Sequence, residues 1–196
     1  MKITLFTAII LISTTIMASS IEKQKYRLVH AGNDFEIRYY PPAMLATVSS
    51  AANSYRQIST PGFRTLAGFI FGGNESNSKI AMTSPVHMDI NDSASTMSFV
   101  MPSKYNEQSL PSPKDPRVKL EKSQAEYVAV LSFGGYANDE KIARYSGKLQ
   151  TALENKGISY YGNFRFLGYN PPFQFIGRKN EIIVSVHWQE QPRSNP

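Results

Sequence analysis

The side chains able to do chemistry in this 196-residue chain are few and scattered. There are three histidines, His30, His87 and His187, and no cysteine. No two histidines stand at a chelating spacing such as i, i+4, so no metal site is written locally into the sequence. Without cysteine there is no disulfide, no zinc–thiolate centre and no thiol nucleophile. Gly-x-Ser-x-Gly, His-Glu-x-x-His and the phosphate-binding loop are all missing, which removes the common hydrolase, metalloprotease and nucleotide-binding designs. Two acids, Glu36 and Glu181, fall inside strand-like stretches, where a buried, unpaired carboxylate would be a candidate general acid or base. His30 precedes Ala31-Gly32-Asn33-Asp34, a turn, and reads as a solvated histidine. His87 and His187 alternate with apolar neighbours and read as facing away from the core, to solvent or a second surface.

The elements that would position these groups follow from periodicity. Phe35, Ile37 and Tyr39 alternate with Glu36, Arg38 and Tyr40, which predicts a strand over 35–40 with one buried face. Pro41-Pro42 ends it in a turn, and 43–50 returns as the next strand. Thr60-Pro61 has the form of an N-cap followed by proline at the first helical position. Phe63, Leu66 and Ile70 then form one stripe of a helix that stops at Gly72-Gly73. Strands are predicted at 85–90 and 95–101, with Asn91-Asp92 in the turn; Met82 and Met88 read as core filler. Four prolines in 102–116 mark a connector, after which the order repeats. Strands are predicted at 118–120 and 127–133, a helix at 139–156 with Ile142, Leu149 and Leu153 inward, and strands at 163–169 and 181–188. Each strand–strand–helix–strand–strand half leaves a sheet face and a helix stripe bare, and packing two halves together covers both. The expected fold is one α+β domain, a distorted eight-stranded antiparallel β-barrel or curved sheet with two helices against it.

Residues 1–20 are expected to lie outside that domain. Met1-Lys2, an apolar run over 3–12 and the small residues Ala18-Ser19-Ser20 outline a secretory signal peptide. The run is short, and Ser13-Thr14-Thr15 interrupts it, which disfavours an uncleaved membrane anchor or any stable span. Cleavage between Ala18 and Glu22 would leave 21–196 as a single secreted or periplasmic domain. No cysteine follows the leader, which excludes a bacterial lipoprotein. Lys2 is the leader's one basic residue, so 20 Lys+Arg face 15 Asp+Glu in the remainder, a net +5. No basic run exceeds two residues, so no nucleic-acid surface is indicated. A mildly basic chain suits an anionic small molecule. Asn74-Glu75-Ser76 and Asn91-Asp92-Ser93 fit the N-glycosylation pattern, which matters only in a eukaryotic secretory route.

Four stretches recur together in one known family. They are Phe35-Glu36-Ile37-Arg38-Tyr39-Tyr40, Lys79-Ile80-Ala81-Met82-Thr83-Ser84-Pro85-Val86, Phe133-Gly134-Gly135-Tyr136-Ala137, and Gly168-Tyr169-Asn170-Pro171-Pro172 followed by Arg178-Lys179-Asn180-Glu181. In this order and spacing the chain resembles the SOUL haem-binding protein family over roughly residues 26–188. The resemblance implies the two-half fold and a haem or related tetrapyrrole held non-covalently, as by a carrier, buffer or scavenger, with no reaction catalysed. Some vertebrate members carry histidine at the position matching Tyr39, proposed there as an axial ligand. The same fold also resembles bacterial ligand-sensing domains for amphipathic molecules, some thought to be hydrolases. An effector-binding module and a hydrolase are therefore the alternatives.

Haem needs an apolar cleft, cations for its propionates and, optionally, an axial ligand. Tyrosinate can ligate ferric haem, so Tyr39 is either such a ligand or a core aromatic sharing a face with Phe35 and Ile37. On the first helix, Arg64, Ala67, Gly68 and Phe71 stand at i, i+3, i+4 and i+7. Small residues in the middle leave room for a flat ring, Phe71 can stack on it and Arg64 can pair with a carboxylate. The alternative is that this face packs under a loop. The loop at 168–178 offers Phe173, Phe175 and Ile176, as a ligand lid or a packed plug. Arg178-Lys179-Asn180-Glu181 reads as structural, a turn that sets the register of the last strand.

Overall fold

The computed structural model describes residues 21–171 and 173–189; the expected leader lies outside them. The chain opens with β1 (Glu22–Lys23) and β2 (Arg27–Ala31). Then come β3 (Glu36–Tyr40), β4 (Met44–Ser50), α1 (Tyr55–Ile70), β5 (Thr83–Ser84), β6 (Val86–Asp89) and β7 (Ser95–Val100). The second half supplies β8 (Lys119–Lys122), β9 (Glu126–Gly134), α2 (Asp139–Asn155), β10 (Tyr160–Gly168) and β11 (Lys179–Val186).

Nine strands form one sheet in the order β2-β3-β9-β11-β10-β6-β7-β4-β8. Each half contributes a three-stranded block, β4-β7-β6 and β9-β11-β10, and the blocks meet where β6 pairs with β10. The first strand of each half crosses over: β3 pairs with β9 and β8 pairs with β4, both antiparallel. Neither half completes its own sheet. All eight expected strands are present, and β2 is added beside β3. That addition places His30 in a strand, opposite Ile37, and leaves it exposed to solvent as expected. The turn lies just beyond, where Gly32 N–H donates to the Phe35 carbonyl. A barrel does not close, because β2 and β8 remain edges. β1 and β5 form a separate parallel pair.

Strand alternation gives the sheet two unlike faces. One carries Ile37, Met97, Phe99, Phe166 and Ile182, continuous with Ile58, Leu66 and Phe69 of α1 and with Leu149 and Leu153 of α2. α1 covers β4 and β7, while α2 covers β9, β10 and β11. Each fully buried side chain of this size contributes about 1.5–3 kcal/mol. The face without helices holds a smaller apolar cluster of Tyr40, Val128, Val130, Leu167 and Ile183.

α1 starts earlier than the Thr60-Pro61 signal predicted, and Pro61 lies inside it. Ser54, in extended backbone, is the N-cap and accepts from the Gln57 N–H at 3.4 Å. The N–H groups of Tyr55 and Arg56 donate to the Asp139 carboxylate at the start of α2. The free donors of the first turn are thus satisfied by a residue far away in sequence. α2 begins as predicted: Asn138 is its N-cap, accepting from Lys141 N–H at 2.8 Å, and Asp139 and Glu140 occupy its first turn.

Candidate functional site

The predicted site residues divide among three places. Arg64 and Gly68 lie on the exposed outer face of α1, with Ala67 half-buried between them and Phe71 61% exposed at the C-cap. A Cβ added at Gly68 would meet nothing within 4 Å, so the gap expected there is open. Gly73 is the opposite case: its Cβ would stand 2.6 Å from the Gly68 carbonyl oxygen, so the chain leaves α1 in close contact with that turn.

The loop between β10 and β11 is the second place. Phe173, Phe175 and Ile176 are 76%, 77% and 88% exposed, so it is not a packed plug. Arg178 holds the loop from within. Its guanidinium donates to the carbonyls of Pro171 at 2.7 Å, Gln174 at 2.9 Å and Asn170 at 3.4 Å, and lies 4.3 Å over the Tyr136 ring. Its Nε is buried and, among the described residues, has no partner. Asn170 Oδ1 accepts from Lys179 N–H at 2.6 Å, and Gly177 turns the chain back at φ 67°. The Tyr136 ring sits 6.4 Å from Phe175. Asp139, which accepts from the first N–H groups of α1, follows Tyr136 by three residues, and Tyr136 meets both Arg178 and Phe175, which places the loop near the first turn of α1. Phe71 stands at the other end of that helix, about 24 Å of rise away. The cleft expected between helix and loop therefore does not bring Phe71 and the loop aromatics together.

Tyr39 is the third place. It is half-buried, packs on Tyr127 of β9 at 5.1 Å and lies under the Arg27 guanidinium at 5.3 Å. Its neighbours belong to the β2–β3–β9 end of the sheet, away from the strands that α1 covers. Two cavities lie elsewhere. One, of about 390 Å³, is lined by Lys23, Lys25, Pro41, Met44, Tyr105 and Lys122 among others. The other, of about 540 Å³, lies between Leu131 and the Gly147–Lys156 side of α2. Neither is lined by a predicted site residue.

The face of the sheet without helices holds what sequence reasoning missed. Arg38 and Glu181 meet there in a two-pronged ion pair, with both hydrogen bonds at 3.0 Å and side chains 2% and 0% exposed. Glu181 also accepts from Tyr169 at 2.6 Å and Ser132 at 3.1 Å, and pairs with Lys179 at 2.9 Å. Glu36 pairs with the Arg38 guanidinium at 2.6 Å, and the Tyr26 ring covers it at 4.2 Å. Burial works to raise the Glu181 pKa, but hydrogen bonds from Arg38 and Tyr169 outweigh it and hold the carboxyl below its ordinary value. A carboxylate with so many donors is not poised to move a proton. The buried, unpaired acid that a hydrolase would need is therefore not found at Glu181. The signal was legible in part: alternation put Arg38 on the face away from Ile37, and Glu181 is the one charge in β11 after Lys179.

A second network shares this face. Arg165 donates to Glu126 at 2.9 and 2.6 Å, and Ser185 donates to Glu126 at 2.7 Å. His87 belongs here instead of on an open surface. It bonds Gln24 at 2.7 Å, and burial, aided by Arg165, pushes its pKa down to about 4. His30 lies 5.7 Å from Trp188, and His187 lies tilted 4.6 Å from Tyr161. Among the described residues, no three His, Cys, Asp or Glu side chains converge in a way that could hold a metal ion.

Comparison with known proteins agrees with this architecture. Residues 21–185 match the SOUL heme-binding protein family. Heme-binding protein 1 of Xenopus laevis is 26% identical over 178 residues, covering 85% of this chain and 93% of that protein. Heme-binding protein 2 of Mus musculus is 30% identical over 156 residues, 76% of each. Among solved structures, the C-terminal domain of EcmrR superposes with a TM-score of 0.57 at 9% identity, over 83% of this chain and 98% of that one. A hydrolase from Listeria innocua does so with 0.55 at 10%, over 79% and 92%. Identities this low speak to the fold alone. The family match runs from β1 to within one residue of the end of β11, across both interleaved halves, and the chain belongs to the SOUL heme-binding protein family.

Proposed function

We propose that this protein binds haem or a related tetrapyrrole non-covalently on the outer face of α1, as an exported carrier, buffer or scavenger. Family membership supports the ligand class. On the molecule, the observation that carries the reading is the open space at Gly68 beside the exposed ring of Phe71. A flat macrocycle lying there would stack on Phe71, pass over Ala67 and Gly68, and turn a propionate toward Arg64. Phe173 and Phe175 supply a second apolar surface at the far end of the same helix. Tyr39, packed on Tyr127 under Arg27, suits a structural aromatic better than an axial ligand. Haem supplies its own iron chemistry when bound; the chain's contribution is apolar contact and one cation.

Titrating the apo mature chain with haemin and following the Soret band tests this. Saturable binding is expected, and Gly68→Trp should weaken it by about tenfold or more, because it fills the space the ring needs. The fold should tolerate the change, since the new side chain points into open space. Arg64→Ala should weaken binding only a few-fold, as an exposed ion pair contributes about 0.5–1 kcal/mol. Unchanged affinity in a folded Gly68→Trp variant would place the site elsewhere. Export rests on the leader-like residues 1–20, and an intact mass starting between Ala18 and Glu22 is the expected readout. A full-length cytoplasmic product would overturn it.

A further inference from the structure

Phe173, Phe175 and Ile176 occupy three of four consecutive positions at a loop tip, each more than three-quarters exposed. Soluble surfaces rarely concentrate large apolar side chains in this way without a partner. The exposure does not follow from a slack backbone. Arg178 binds three loop carbonyls, Lys179 N–H binds the Asn170 side chain, and Gly177 makes the return turn. The backbone polar groups are turned inward and the side chains are held out. Tyr136, half-exposed and in edge contact with Phe175, extends the patch.

Cations surround this tip. Arg178 lies over Tyr136, and Lys141 Nζ donates to the carbonyls of Gly134 and Tyr136 at 2.7 and 3.3 Å. Lys179 is 45% exposed at the base of the loop. Farther along α2, Arg144 and Lys148 flank Tyr145 at 5.4 and 5.0 Å. The acids close by are Asp139, bonded to the first N–H groups of α1, Glu140, and the buried Glu181, which pairs with Lys179 at 2.9 Å and is shared with Arg38. An apolar tip within a cationic collar is complementary to a surface whose outer layer is anionic and whose interior, a few ångströms deeper, is hydrocarbon.

We infer that the 173–176 tip inserts into the surface of an anionic lipid bilayer, with Tyr136 at headgroup depth and Lys141, Lys179, Arg144 and Lys148 supplying the positive charge that draws it to the lipid phosphates. The contact is interfacial; no described helix is long and apolar enough to cross a membrane. The inference goes beyond tetrapyrrole binding and does not depend on it, so the apo chain is the material to test. The mature protein is sedimented with phosphatidylcholine vesicles, with and without phosphatidylglycerol, at low and high salt. Partitioning should require phosphatidylglycerol, fall with salt, and weaken by about tenfold or more in Phe175→Ser/Ile176→Ser. No partitioning of the wild-type chain, or equal partitioning of the folded double variant, overturns the inference. So does a dimer, seen by sedimentation equilibrium without vesicles, that the double variant abolishes, because the tip would then belong to a second copy. A vesicle-free Soret titration of the same proteins reads ligand binding separately, so a chain that fails to bind haemin can still be seen to dock.

Discussion

The sheet face without helices and the loop at 173–176 invert the usual arrangement in opposite directions. The face buries charge: Arg38 and Glu181 are almost wholly shielded from water. The loop exposes grease: Phe173, Phe175 and Ile176 stand in water. The two differ in how the anomaly is answered. Every oxygen of Glu181 has partners within the chain, drawn from β3, β9, β10 and β11 or their ends. The loop side chains have no such cover; what the chain satisfies there is only the backbone, through Arg178. A polar anomaly resolved internally is a structural device. An apolar anomaly left open is a surface awaiting a partner. The contrast separates the residues that hold the fold from those that meet something outside it.

The largest test of this contrast cuts the internally satisfied region in two. A fragment ending at Ser112 keeps Arg38 and β3 but loses Glu181 and the β9 partner of β3. It should show no cooperative unfolding transition, while a chain of residues 21–196 should show one. A folded fragment, or two resolved transitions in the whole chain, would break the claim that the halves depend on each other.

Next in size, Glu181→Ala should destabilise the chain by about 3–5 kcal/mol in urea unfolding, because it leaves the Arg38 charge buried without its main partner. Replacing both members, as Arg38→Met with Glu181→Leu, should cost less than the single change. A loss under about 1 kcal/mol for Glu181→Ala would mean that water reaches the pair.

Acid should weaken the same face in a defined order. Folded His87 stays neutral to about pH 4, whereas the unfolded side chain takes a proton near 6.5. Between those values the unfolded state binds more protons, so stability falls as pH falls, by at most about 3 kcal/mol. Glu126 and Glu181 have lowered folded values, with burial opposing but Arg165 and Arg38 prevailing. Their contribution is present above the ordinary carboxylate range and is lost as pH drops through the folded values. His87→Gln should flatten the stability profile between pH 6.5 and 4 and leave the deeper acid limb in place. An unaltered slope in that window would mean that His87 is solvated.

The smallest expected effect on stability belongs to the loop. Phe175→Ser should change the unfolding midpoint by no more than about 0.5 kcal/mol, although the side chain is as large as those of the core. A loss of several kcal/mol would show that the tip packs inside the molecule and would erase the contrast.

Much of the fold was legible before any coordinates. Period-2 alternation located eight strands, and the stripe of Ile142, Leu149 and Leu153 located α2 almost to the residue. These are local signals, set by which side chains must leave water together. The outward face of α1 and the aromatic loop were also visible, as small and aromatic residues at regular spacing. The reading failed where a distant group supplied the local requirement. Thr60-Pro61 is a sound start signal, yet α1 begins at Tyr55 because Asp139 accepts from its first N–H groups. His30 precedes a run of turn formers, yet it pairs in β2 because β3 offers a free edge.

The amino-acid sequence by itself determined the family, the two repeated halves and the identity of most core positions, because apolar periodicity and turn chemistry act over a few residues. Only the tertiary structure decided the rest. The exchange of β3 and β8 between halves joins Arg38 to Glu181 across 143 positions. It half-buries His87 beside Arg165, and it divides the expected ligand residues between the two ends of one helix and a distant strand. Such outcomes depend on which strand edges find each other and which charges they enclose, and no window along the chain contains both partners.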